Sequence, residues 1–411
     1  MSQSRYARLS RPELAVLVPE LLLIGQMIDR SGMAWCIKEF GHAEMLQIAI
    51  EEWAGASPVY TRRMQRALNF EGDDVVTIFK GLQFDIGAPP QYMDFRYTVH
   101  DRWHGEFRLD HCGALMDVEP MGPDYVHGMC HTIEDPTFDA TAIATNPHAR
   151  VRPIHRPPRV PADRHPHCAW TVTIDESYPP AGPIPALEKV SRTRAATIEL
   201  DPIDAGQPGL GDYSGPLLSD VDFGAFSHSA LVRIADEVCL QMHLLYQGFV
   251  LAVQARADAD LARSICTHQL IGVAGLAAER IHHALSLPAG FDGALRVLEL
   301  HPLLNPAAYV RAETAAGEVH VHSSPGSSPA HQDGAWISLC STAEYRPLQA
   351  IVAAVDPHFD VEVAGSGTDW VARLIARSDA AKEFPEVSVT KVSRGASFQF
   401  QPRRSLPLTV L

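Results

Sequence analysis

The sequence predicts an α+β protein of two related halves, each a run of helices followed by an antiparallel sheet, packed together as an intramolecular pseudo-dimer. Three observations carry this expectation. Apolar residues recur three and four apart early in each half, period-two alternation follows them, and short motifs of the first half return in the second. The expected boundaries are a first domain over 1–175, a proline-rich linker over 176–190 and a second copy over 191–411.

Residues from about 11 to 70 read as helices, with Met33, Cys36, Ile37 and Phe40, then Met45, Ile48 and Ala49, each on one face. Ala54-Gly55-Ala56-Ser57-Pro58 punctuates the run, and a further helix follows through Tyr60, Met64 and Leu68. Val75 to Phe79 is expected as a short strand, and Phe95 to Cys112 as a hairpin turning near Arg102 to Gly105. On its second strand, strict alternation places Asp110 and Cys112 on one face. A helical element over Asp124 to Asp139 and a strand from His167 to Ile174 complete the half.

Past the linker, Leu217 to Leu285 is helical in period, and Ala294 to His322 reads as strand, loop and hairpin. Tyr97 and Gly105-Glu106 match Tyr309 and Gly317-Glu318 at an offset of 212, while DPTFD at Asp135 matches DPHFD at Asp356 at 221. The nine added residues fall in the loop SSPGSSPAHQDG. In this alignment Cys112 faces Ser324, Cys130 faces Ile351, His131 faces Val352, and Cys168 faces Ala396 or Ser397.

The chain has 411 residues, 46% hydrophobic and 20% charged, with a net charge of -15. That balance argues against nucleic acid and anionic membrane as partners, leaving a small-molecule substrate and self-association into a homo-oligomer. The start of the chain lacks a secretory h-region, and seven scattered cysteines read as reduced thiols, so the expected compartment is the cytoplasm. Phosphate loops, dinucleotide fingerprints and nucleophile elbows are absent from the sequence.

Chemistry concentrates between Phe107 and Trp170. Cys112, Cys130, His131, His155, His165 and Cys168 supply thiolate and imidazole, which suit a divalent metal ion: zinc first, with iron or manganese as alternatives. Asp110 and Glu39 are the candidate general bases or groups that orient a ligating imidazole. Each choice has a plainer reading: buried cysteine is often a small hydrophobe, a histidine among prolines a loop residue, and Glu39 part of a solvated helix face.

With those residues in view, the first half resembles the family of L-2-amino-thiazoline-4-carboxylic acid hydrolases. The features are MAWCIKEFG with Trp35, Glu39 and Gly41, then Cys112, Cys130, and RPPRVPADRHPHCAW with Pro157, Pro158, His165, Pro166, Cys168 and Trp170. A more distant likeness is to vinyl-reductase-type ligand-binding domains. The resemblance covers residues 15 to 175. It departs from the family at His111 beside Cys112, at His131 beside Cys130, and in the added second half.

The resemblance implies hydrolysis of a C–N or C–S bond in a small, cyclic organic substrate, and the ligand set adds a metal-activated water. With iron the same ligands would support an oxygenase or a lyase. A closed Cys/His tetrahedron would instead mark a ligand-binding or sensory module with a structural metal.

Overall fold

The computed structural model describes residues 3–321, 328–366 and 369–410. Its first half runs α1 (Arg11–Phe40), α2 (His42–Ala67), α3 (Val75–Leu82), β1 (Met93–Val99), β2 (His104–Cys112), α4 (Gly113–Val118) and α5 (Pro123–His127). A π-helical turn, Gly128–Ile133, leads into α6 (Glu134–Ala142), β3 (Ala149–His155), β4 (Cys168–Ile174), α7 (Pro185–Val190) and α8 (Arg194–Thr197). The second half repeats the order with α9 (His228–Gln254), α10 (Ala259–Ala284), α11 (Phe291–Leu300), β5 (Ala312–Ala315), β6 (Glu318–Val321), α12 (Pro329–Gln332), α13 (Arg346–Val355), β7 (Phe359–Ser366), β8 (Asp369–Ala376) and α14 (Pro385–Thr390). The fold is α+β, as expected.

Each half contributes one antiparallel four-stranded sheet, ordered β1-β2-β4-β3 and β5-β6-β8-β7. The helices cross between halves. α2 packs mainly on α9 and α1 on α10, so one hydrophobic core runs from Tyr6 to Leu374 and takes side chains from both halves. A second core fills the space between the first sheet, α1 and α3.

Local chemistry explains where the expected boundaries moved. Ser10 and Glu13 form a reciprocal capping box that starts α1. The break between the long helices is Gly41, whose φ of 83° suits glycine, and α2 continues through Ala54–Pro58 without interruption. The small residues there permit close approach: a Cβ on Gly55 would lie 2.8 Å from Ala186 Cβ. Val75 to Phe79 is helix and not strand, because the Asp74 side chain accepts from Thr77 N at 2.9 Å and caps α3. The stretch expected as a linker, 176–190, contains α7, which packs on α2 and α9.

Matching hydrogen bonds set the register of the repeat. Met93 N donates to Pro89 O as Val310 N does to Pro306 O, so Tyr309 corresponds to Tyr92, an offset of 217, and not to Tyr97. Further on, His148 N donates to Asn146 Oδ1 as His358 N does to Asp356 Oδ1. Asn146-Pro147-His148 is therefore the partner of Asp356-Pro357-His358, whereas Asp135–Asp139 lies inside α6.

The same offset of 210 aligns Cys130, Thr132 and Glu134 with Cys340, Thr342 and Glu344. Cys130 thus has a cysteine counterpart, not Ile351, and His131 falls on Ser341, not Val352. Cys168 stands in β4, whose counterpart is β8, so its pairing with Ala396 or Ser397 does not hold. Ser324 lies outside the described residues.

Candidate functional site

Of the six expected metal ligands, the three cysteines share one buried core, and the three histidines are not grouped with them. Cys112 ends β2, where its Sγ accepts from Leu115 N at 3.4 Å and caps α4. Cys130 sits in the π-helical turn and Cys168 on β4, all three within the core beneath the first sheet. Burial pushes the Cys112 thiol up to about 12, with Glu134 adding to the rise. Cys130 and Cys168 are raised by burial and then by Glu134 and their fellow thiols.

The imidazoles stand elsewhere. His131 Nε2 contacts Pro157 O at 2.7 Å, and its ring stacks on His127 at 4.4 Å. His165 lies 5.0 Å from His167, which lies 5.7 Å from His111. His155 stands at the end of β3, its pKa lowered by partial burial and by Arg164. Among the described residues no three His, Cys, Asp or Glu side chains are grouped to hold a metal ion. The donor set does not fit a zinc, iron or manganese centre.

Asp110 and Cys112 do not share a face. Met93 pairs with Cys112 and Phe95 with Leu109, so β2 carries an extra residue that turns Cys112 inward and leaves Asp110 outside. Asp110 pairs with Arg108 at 3.0 Å and Glu39 with Lys38 at 3.0 Å. Neither lines either of the two cavities described next.

The structure instead brings carboxyls together around an inner cavity of about 90 Å³. α1 supplies Gln26 and Asp29, α2 supplies Trp53 and Tyr60, the loop after α3 supplies Asp85, and α6 supplies Glu134. The wall includes Met129 and Ile133 of the π-helical turn, a distortion that re-aims side chains and recurs at functional sites. Asp85 Oδ1 accepts from Tyr60 Oη at 2.9 Å and from Gly87 N at 2.7 Å. Burial outweighs these bonds and pushes its carboxyl up to about 6. Burial raises Glu134 further, to about 8, against the opposing charge of Arg156.

Asp29 Oδ2 accepts from Arg30 Nη1 at 2.7 Å and Oδ1 has no partner at hydrogen-bond geometry; burial raises the carboxyl pKa against the pull of Arg30 and a weaker one from Trp53. Gln26 Oε1 and Glu134 Oε2 also lack partners. Behind them Glu52 is fully buried with neither oxygen bonded, and desolvation, then Asp29, holds its pKa well above the usual carboxylate range.

A second cleft of about 250 Å³ adjoins the cavity and shares Asp29, Met129 and Ile133 with it. Met33, Met45, Met121 and Met129 line it, and Val389 and Val392 of the second half form part of its rim.

The second half does not reproduce this chamber. At the offset of 217, Gln26, Asp29, Glu52, Tyr60 and Asp85 become His243, Tyr246, Gln269, Ala277 and Pro302. Rings occupy the corresponding region: Trp336 lies 5.1 Å from His243 and 5.6 Å from Tyr246, and Tyr309 lies 4.9 Å from His243. Sequence reasoning missed the acidic set. Its signal was Gln26 and Asp29, polar residues three apart within an apolar helical run.

No family model, curated protein or solved structure matches the chain.

Proposed function

We propose that the first half binds a small organic molecule in the inner cavity and hydrolyses a C–N or C–S bond in it by acid–base chemistry. The observation that carries this is the placing of two buried carboxyls, Asp85 and Glu134, on one cavity with pKa values near 6 and 8. Environments that push two carboxyls apart assign a base and an acid. Near neutral pH Asp85 is ionised, fixed by Tyr60 Oη and Gly87 N, and accepts a proton from water. Glu134 is protonated and donates to the departing nitrogen or sulfur.

The resemblance of the first half to the thiazoline hydrolases supports the reaction class. The seven cysteines are all unpaired, which supports the cytoplasm as the compartment.

The test is a hydrolysis screen of small cyclic amides, thiazolines and hydantoins with wild type, Asp85→Asn and Glu134→Gln. Each substitution should lower kcat/KM at least 100-fold, in line with the size of general acid–base effects. A substrate turned over equally by all three would sink the mechanism.

A second reading, a ligand-binding module, draws on the methionine-lined cleft, because flexible thioethers suit variable apolar guests. It predicts saturable binding without turnover.

A further inference from the structure

We infer that the ligand of this site carries a protonated nitrogen held by Asp29 and Gln26, joined to an apolar body seated in the methionine-lined cleft. This rests on the reading that the cavity is a ligand site, and not on the acid–base reaction.

Among the described residues, the unpartnered buried side-chain atoms on the inner cavity are all acceptors: Gln26 Oε1, Asp29 Oδ1 and Glu134 Oε2. These residues are only 5%, 4% and 8% exposed. Buried acceptors without donors are costly, and a ligand that brings N–H groups relieves the cost. Glu134, protonated near neutrality, carries its own donor. The atoms that call for an outside donor are therefore Asp29 Oδ1 and Gln26 Oε1, one helical turn apart on α1.

Charge gives the same sign. Arg30 is the arginine lining the cleft; its Nη1 serves Asp29 at 2.7 Å and its Nε Asp117 at 3.3 Å, while its Nη2 has no partner. Asp29, Asp85 and Asp117 together outnumber it, so an anionic guest is opposed and a cation is favoured. Position sets the shape of the guest. Asp29 borders both spaces, so a cationic head at its free oxygen leaves an attached apolar chain directed between Met33, Met45, Met121 and Met129.

The experiment is calorimetric titration of the full chain at pH 7 with hexylammonium, hexanol and hexanoate. Hexylammonium is expected to bind at least tenfold more tightly than hexanol, with hexanoate weakest. Asp29→Asn should abolish the preference for hexylammonium over hexanol, and Ala34→Phe, at an exposed position on the cleft, should weaken both. Equal or tighter binding of hexanoate by wild type would overturn the inference whatever the variants do, as would an unchanged ammonium preference in Asp29→Asn. Ammonium-selective binding in a protein that hydrolyses nothing would uphold it while defeating the acid–base mechanism. Turnover of neutral cyclic substrates without ammonium selectivity would do the reverse.

Discussion

Arg63 of α2 crosses to Glu237 of α9 at 2.8 Å, and Arg280 of α10 crosses back to Glu20 of α1 at 2.6 Å. The two pairs are the same pair taken twice, since both arginines and both glutamates are 217 residues apart. Each guanidinium also donates to backbone carbonyls of the segment after the short helix, Ala196 and Ile198 in one case and Gly395, Ala396 and Phe398 in the other. They differ in one respect: Glu237 keeps Arg233 at 2.9 Å.

From that difference, Arg280→Met should destabilise more than Arg63→Met. Removing one member of a buried pair costs about 3–5 kcal/mol, because the other charge is left without compensation. Glu20 bears that in full, whereas Glu237 retains a partner. Urea titration of both variants checks the order, and a larger loss in Arg63→Met would contradict it.

The buried thiols should behave as packing groups. Cys168→Ser places a hydroxyl in apolar surroundings and should cost about 1–3 kcal/mol. Cys112→Ser should cost less, since serine can cap α4 as the sulfur does. Elemental analysis should give the same metal content for wild type and both variants.

Stability should fall as pH rises from about 4.5 to 8. The folded pKa of Glu134, about 8, lies above its ordinary value of 4.5, so the folded state holds the proton more tightly. That contribution is fully present below the unfolded value and is lost as pH passes through 8, amounting to a few kcal/mol on the order of the shift. Glu134→Gln should flatten this decline and melt above wild type at pH 8.5. Parallel melting curves for the two proteins across that window would refute the assignment.

Gly248→Ala should be destabilising although alanine is the better helix former. The added Cβ would lie 2.6 Å from Glu52 O, a backbone atom of α2 that cannot swing aside. Overpacking of about 1–3 kcal/mol exceeds the roughly 1 kcal/mol gained in propensity. A melting temperature equal to or above wild type would count against this packing.

The fold class and the two related halves were legible because hydrophobic period and sheet alternation are local signals. The helical identity of Val75–Leu82 was not, since a short apolar run suits strand or helix alike and only the Asp74 cap decides it. The site was hidden for a different reason. Cys112, Cys130 and Cys168 do share a core, but among the described residues no third donor type joins them as a metal group, and the extra residue in β2 separates Asp110 from them. Asp29, Asp85 and Glu134 lie far apart along the chain, and only the packing of α1, α6 and the loop after α3 brings them to one cavity.

Because α1 and α9 each lie against a helix of the opposite half, neither half is complete by itself. A polypeptide ending after α8 would present the bare faces of α1 and α2 to water and would gather with another such polypeptide. Two identical subunits joined in that way must have matching interiors. A single continuous chain is free of that obligation, and here it keeps an acidic chamber in one half and an aromatic cluster in the other.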